Sequence, residues 1–161
     1  MRPVDVRELI GRPGAVRTVS VAEPVDDLKT GLASMPGDVG AELEIEGQED
    51  GVLVRGTLRG SMTLTCARCL KTFDNDFRAE VSEGFVLYAS DDEYGVAASG
   101  ELDLEPLVRD AVILAMPFSP LCRPDCKGLC ARCGGDRNLG ECTCPEEDRD
   151  PRWAALDQLI D

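Results

Sequence analysis

Residues 41–66 read AELEIEGQEDGVLVRGTLRGSMTLTC, and this stretch decides the fold. Its first arm alternates, with Leu43 and Ile45 on one parity and Glu42, Glu44 and Glu46 on the other. A period of two residues belongs to a strand with one dry face and one wet face. The run QEDG breaks the pattern, with Asp50-Gly51 as its turn signal. The return arm puts Val52, Val54, Leu58, Met62, Leu64 and Cys66 on a single parity. The reading is a long β-hairpin. Gly56 and Gly60 share the apolar parity, which predicts a bend or bulge there.

Downstream, Cys66-Ala67-Arg68-Cys69 sits at a tip and another alternating arm follows. Phe73, Phe77, Ala79 and Val81 share a face that Phe85 and Leu87 continue. Upstream, the spacing suggests a short helix or turn near Val6–Ile10 and a strand near Val16–Val21. Residues 89–100, ASDDEYGVAASG, read as a polar acidic loop. Residues 103–116 read as a helix: Leu104, Leu107, Val108, Ala111, Val112 and Ala115 recur at helical spacing. Asp103 is the expected N-cap, Pro106 fits the first turn and Pro117 stops the run. Ile113, Leu114 and Met116 make the last turns apolar all round, so that end is expected to be buried. Residues 117–150 are too poor in apolar side chains to make a core unaided. PRWAALDQLI suggests a closing helix from Pro151, with Trp153, Leu156 and Ile160 available to dock.

The expected fold is therefore α+β. It is a mainly antiparallel sheet or partial barrel, with one packed helix and a zinc-binding, cysteine-rich C-terminal segment. The division is an α+β domain over 1–117 and a tail over 118–161. The length of 161 residues suits one domain with an appendage. The opening, MRPVDVRELIGRPG, has no apolar core of a signal peptide, and no run nears the roughly 18 apolar residues of a membrane span. The expected location is the cytoplasm. The net charge of −14 makes the surface as a whole a poor platform for nucleic acid and a good one for basic proteins.

Eight cysteines and no histidine set the chemistry. In a reducing compartment, cysteines at such spacing bind metal rather than form disulfides. The run CRPDCKGLCARCGGDRNLGECTC holds six of them. Cys130-Ala-Arg-Cys133-Gly-Gly has the form of a zinc knuckle, and Cys142 and Cys144 can return to the same ion. The remaining Cys66, Cys69, Cys122 and Cys126 make a second set of four, which would pin the tail to the hairpin. A local set of Cys122, Cys126, Cys130 and Cys133, leaving Cys66 and Cys69 free, is the alternative partition. Two Zn²⁺ ions in structural sites are expected, bringing the net charge to about −18. A redox role for Cys66 and Cys69 is disfavoured, because such pairs usually open a helix and strands flank this one. A catalytic zinc would need an open coordination position.

Two positive stretches lie beside the cysteines. Arg55, Arg59, Arg68 and Lys71 have no acid among them, and Arg123, Lys127, Arg132 and Arg137 outnumber Asp125 and Asp136. They either offset nearby thiolates or form a contact patch for RNA phosphate or an acidic partner. Residues 38–50 and 91–110 are strongly acidic. No catalytic set stands out: there is no histidine, no phosphate-cradling glycine loop, and Asp74, Asp76, Asp91, Asp92 and Glu93 read as surface charge.

CARCL in a strand-rich middle, the run EPLVRDAVILAMPFSPLC, then CKGLCARCGGDRNLGECTC and DPRWAAL together resemble the YceD family, the large ribosomal RNA subunit accumulation proteins. The resemblance extends to the opening VDVRELIGRPG and is to an actinobacterial type with an extra cysteine-rich tail. It implies a bacterial, non-enzymatic factor needed for accumulation or processing of large-subunit ribosomal RNA. Family motif residues carry over to Cys66 and Cys69. Relatives with His or Cys near Cys122 and Cys126 favour the cross-domain pairing, and relatives lacking the last knuckle imply that the second ion is dispensable. The expected partners are ribosomal proteins or rRNA-processing factors of the large subunit, with limited direct RNA contact. No membrane and no small-molecule substrate are implied. A cytoplasmic thiol-based zinc or redox sensor using Cys66 and Cys69 is the other reading.

Overall fold

The computed structural model describes residues 1–25, 28–90 and 93–145. Along the chain run β1 (Val4–Asp5), β2 (Val16–Pro24), β3 (Lys29–Thr30), β4 (Ala33–Ser34), β5 (Asp38–Gly47), β6 (Gly51–Thr65), β7 (Thr72–Val86), β8 (Tyr94–Gly95), β9 (Glu101–Leu102) and α1 (Glu105–Ala115). The hairpin is β5–β6, in register at Leu43↔Gly56, Ile45↔Val54 and Gly47↔Val52. Gln48 N–H donates to Gly51 O at 3.0 Å and closes the turn. One apolar parity goes to the core: Leu43, Ile45, Val52, Val54, Leu58, Met62 and Leu64 are all buried. A slip of one residue would turn that whole set to water, so the pattern itself fixes the register.

β7 pairs with β6 from Gly51↔Val86 to Thr65↔Thr72, and β2 pairs with β5 along its full length. β4 joins β6 beyond β5, with β3 outside it. The described pairings form an open path, antiparallel except where β8 runs parallel to β7. A separate pair, β1–β9, lies beside them. The β6–β7 register runs unbroken through Gly56 and Gly60, so the expected bulge does not occur. The glycines answer to crowding instead. A Cβ at Gly60 would lie 2.7 Å from Phe77 Cε1 and 2.9 Å from Met35 Cε, and one at Gly56 would strike the Glu42 carbonyl.

α1 starts two residues later than the periodicity suggests. Leu104 holds the N-cap position, while Asp103 Oδ1 accepts the Glu105 N–H at 2.9 Å from one place earlier. Leu107, Val108 and Val112 are buried, and the helix packs on β7. Its last turn is only half covered, contrary to the expectation of a buried end. Met116 turns inward and accepts a hydrogen bond from the Thr30 hydroxyl at 3.2 Å, but Ile113, Leu114 and Phe118 are exposed. One helix face meets the sheet, and an apolar sequence on the other face does not create a second layer to bury it.

The expected acidic loop at 89–100 also carries more structure than its polarity suggests. Tyr94 and Gly95 form β8, Tyr94 stacks on Phe85 with ring centroids 5.1 Å apart, and Val96 is buried. The few apolar side chains in the run are the ones the core takes. Residues 6–10 form a turn closed by Leu9 N–H to Val6 O at 2.9 Å. The helix expected from Pro151 lies outside the described residues. After α1, the described chain to Pro145 contains no strand or helix, only the bridge Leu129↔Asp136. Among the described residues, no helix is long and apolar enough to cross a membrane.

Candidate metal centres

The inward parity of β6 leads past Leu64 to Cys66, which opens the turn between β6 and β7. The turn folds back on itself: Leu70 N–H donates to Cys66 O at 3.0 Å and Cys66 N–H to Lys71 O at 2.9 Å. Leu70 takes φ +59°, a left-handed conformation that usually falls to glycine. The chain leaving α1 comes up beside this tip, where Ala67 N–H donates to Pro120 O at 2.8 Å. Cys122 and Cys126 then face Cys66 and Cys69.

The sulfurs of Cys66 and Cys126 are 3.8 Å apart and those of Cys69 and Cys122 are 3.7 Å apart. All four lie within 4.8 Å of one another. A disulfide needs about 2.05 Å. A tetrahedron of thiolates at the zinc–sulfur length of about 2.3 Å has edges of about 3.8 Å. The group therefore fits a four-thiolate metal ion. Cys66, Cys69 and Cys126 are buried at 0%, 5% and 1% exposure. Burial pushes the Cys66 thiol up, but N–H groups of Cys122, Cys69 and Arg68 aim at its sulfur, and the balance lowers it to about 6. Cys122 is pushed up to about 12 by desolvation and by the surrounding thiols of Cys69, Cys126 and Cys66. Four sulfurs so close cannot all ionise without a cation among them.

The second group is Cys130, Cys133, Cys142 and Cys144, again within 4.8 Å. Its knuckle repeats the first one. Both open Cys-Ala-Arg-Cys, and Gly134 N–H donates to Cys130 O at 2.9 Å as Leu70 N–H does to Cys66 O. Gly134, at φ +72°, occupies the position where the first knuckle has Leu70. Backbone N–H groups of Cys133 and Arg132 hold the Cys130 thiol down at about 6, whereas the thiols of Cys133 and Cys142 and desolvation push Cys144 up to about 12. This group is more open: Cys133 is exposed and the other three are half-buried. The local alternative of Cys122, Cys126, Cys130 and Cys133 is not the arrangement the chain adopts.

Sequence reasoning counted Lys71, Arg123 and Asp136 only as charges and missed Asn138 and the link these residues make between the two groups. Asp136 is buried, pairs with Lys71 Nζ at 2.8 Å, and accepts the Asn138 backbone N–H at 2.8 Å and Nδ2 at 2.7 Å. Lys71 and these Asn138 donors hold its carboxyl at about 2. Asn138 Nδ2 also lies 3.6 Å from Cys126 Sγ, and its Oδ1 accepts from Arg123 Nη2 and Lys127 N–H at 2.8 Å each. A loop between two ligands of the second group therefore hydrogen-bonds a sulfur of the first. Leu129 N–H to Arg68 O at 3.0 Å adds a backbone link, and Gly128 makes room for it at φ +73°. The available signal was Asp-x-Asn, a pattern that folds its side chain onto nearby backbone N–H groups.

The basic residues divide. Arg55 pairs with Glu46 at 3.6 Å and Arg59 with Glu42 at 3.9 Å, both on the outer face of the β5–β6 hairpin. Arg68 Nη1 donates to Cys126 O at 2.9 Å, and Lys71 and Arg123 serve the links above. Arg132 and Arg137 line a cavity of 140 Å³ beside Cys130, Cys142 and Cys144, and Lys127 and Arg137 line a shallower depression at the same end. Six of the eight thus surround the cysteines and two do not.

A family model described as "Large ribosomal RNA subunit accumulation protein YceD" matches residues 54–160. An uncharacterized protein of Mycobacterium tuberculosis is 36% identical over 98% of this chain and 80% of its own length. An uncharacterized protein of Bacillus subtilis is 28% identical over 65% of this chain and 63% of its own. A chloroplastic protein of Arabidopsis thaliana, called large ribosomal RNA subunit accumulation protein YCED homolog 1, is 34% identical over 37% of this chain and 18% of its own. No solved structure matches the chain. The matched span contains all eight cysteines and the strand, turn and helix that assemble them, and the chain belongs to the YceD family of large ribosomal RNA subunit accumulation proteins.

Proposed function

We propose that this protein is a non-enzymatic, zinc-binding factor for the accumulation, processing or assembly of large-subunit ribosomal RNA, working in the cytoplasm through basic protein partners. The single observation that carries the reading is the family match across residues 54–160. In this reading residues 1–117 are the working domain and 118–161 a tail held by metal. One Zn²⁺ takes Cys66, Cys69, Cys122 and Cys126, the other Cys130, Cys133, Cys142 and Cys144. The all-thiolate donor sets and sulfur spacings support zinc. Neither set leaves a coordination position open for catalysis, and the ions' role is to hold a segment that has no core of its own.

The charge of −14 supports protein partners over direct coating of RNA. Arg68, Lys71, Arg123, Lys127, Arg132 and Arg137 offset the thiolates, and Arg55 and Arg59 offset neighbouring glutamates. The sensor reading is weaker, because a reactive thiol must be reached from solvent and Cys66 and Cys69 are buried. Depleting the protein and following large-subunit ribosomal RNA tests the proposal, together with a low-salt pull-down scored for ribosomal precursors. Loss of that RNA and recovery of precursors are expected. Normal RNA levels with no precursor recovered would overturn it.

A further inference from the structure

Strand β7 is paired on one side only for most of its length. β6 takes one edge from Thr72 to Val86, and β8 meets the other only at Phe85 and Val86. Among the described residues, no backbone partner meets the outer edge between Thr72 and Gly84. A groove of 370 Å³ runs there. One side is residues 78–83, without a gap, and the other is α1, with Leu107, Asp110, Ala111, Leu114 and Ala115; Tyr94 also lines it, its hydroxyl donating to Asp110 Oδ2 at 2.6 Å. Successive strand residues point to opposite faces, so a groove lined by six in a row follows the strand's edge rather than one face. Leu114 is 85% exposed at this site.

We propose that this edge and groove bind an extended, basic segment of a partner protein, which adds to β7 as a further strand. The inference rests on the function proposed above and names the class of partner and the surface that meets it. Six residues of strand span about 20 Å, enough for a short segment. The edge offers backbone hydrogen bonds, and alternate side chains of an added strand fall toward Ala111 and Leu114. The charges choose the occupant. β7 carries Asp74, Asp76, Glu80 and Glu83 against Arg78, and α1 adds Asp110 across the groove. Arg78, the cation on this stretch of β7, reaches Glu80 at 3.9 Å. A second copy of this chain would bring two strands together that each carry four acids against one arginine. RNA phosphates meet the same repulsion. The acids thus guard an open edge against neutral and acidic strands and leave it attractive to a basic one.

The test uses the full chain and a short synthetic peptide of alternating valine and lysine. The control is the same peptide with its backbone amides N-methylated, which keeps the charge and abolishes strand pairing. The plain peptide is expected to slow amide exchange within residues 72–84 and to bind at least about tenfold more tightly than the methylated one. Charge reversal at two exposed positions, Glu80→Lys with Glu83→Lys, is expected to weaken it by a further factor of about ten or more while the melting temperature holds. Equal binding of both peptides, or slowed exchange confined to other segments, would overturn the proposal and leave only general attraction to an acidic surface. The double variant also separates this inference from its premise. If wild type recovers ribosomal precursors and the variant does so equally well, the surface is wrong and the function stands. If wild type recovers none, the function reading fails first.

Discussion

At Leu70 the backbone sits at φ +59° and the side chain is exposed, so the residue strains the chain without filling a core. A left-handed conformation costs a non-glycine residue about 1–2 kcal/mol. The second knuckle places glycine at the equivalent Gly134. Leu70→Gly should therefore hold or raise stability by up to about 1 kcal/mol, since glycine's own entropy cost offsets part of the gain. Leu70→Val, β-branched at a positive φ, should lower it by about 1 kcal/mol or more. Thermal melts of the two variants check both signs. Asn138 is the opposite case, with every polar atom of its side chain engaged. Asn138→Ala should cost about 1–3 kcal/mol, because Asp136 and the Lys127 N–H lose a partner inside the clasp. The same variant should still bind two ions yet release the first faster to a chelator, because Cys126 loses its N–H···S contact. Release kinetics with a colorimetric zinc indicator separate the two ions, and unchanged release would show that Asn138 serves the tail alone.

The elements differ in how much of them the sequence reveals. The hairpin was legible because burial on one side of a strand imposes a two-residue period, and Leu43, Ile45, Val52, Val54 and Leu58 obey it. The helix was legible for the same reason at its own period, but its start was misplaced because Asp103 reaches the first N–H from outside the N-cap position. β8 was not legible: two residues pairing in parallel with the end of the preceding strand leave no period to read. Glycines misled because Gly56 and Gly60 give no sign whether the chain bends or a neighbour presses in. The two sets of four cysteines were countable from spacing, whereas the Lys71–Asp136–Asn138 link was not, since it depends on two loops meeting in space. That link makes a claim about the elements. Cys133→Ser should leave the four thiols of the first group, Cys66, Cys69, Cys122 and Cys126, intact, so one ion is expected to remain. Cys69→Ser removes a ligand from the buried group and should free the chain after α1 from the hairpin tip. Zinc stoichiometry by mass spectrometry, with limited proteolysis between residues 117 and 145, distinguishes the two. Equal loss of both ions from either variant would mean that the groups load as one unit.

Across the whole molecule, the apolar core and the cysteine groups are separate sources of stability. The core clusters on β5, β6, β7 and α1, while Cys66, Cys69 and Cys126 form their own small buried cluster at the hairpin tip. Residues 117–145 contribute only Cys126 and Asp136 as buried hydrophobic or charged side chains. Chelation should therefore release this segment and leave the sheet folded. Far-UV circular dichroism should keep its β signal, while amide protection is lost from Leu121 to Pro145 and at the Cys66–Leu70 turn. Loss of the whole sheet on chelation would show that the metal holds the fold and not just the tail. The charge distribution then sets the last expectation. Were each group to take Zn²⁺ as proposed, the molecule would be more acidic still, by about two charges per site. Acidic side chains outnumber basic ones by 31 to 17, so the potential far from the surface is negative. Added salt should weaken association with basic large-subunit proteins steeply, because exposed charges are screened beyond about 10 Å at 0.1 M ionic strength. It should change little in an RNA gel-shift with the isolated protein, where little binding is expected at any salt. Tight RNA binding by the isolated protein, weakening as salt rises, would place the cations around the cysteines in contact with phosphate and reverse the order of partners argued here.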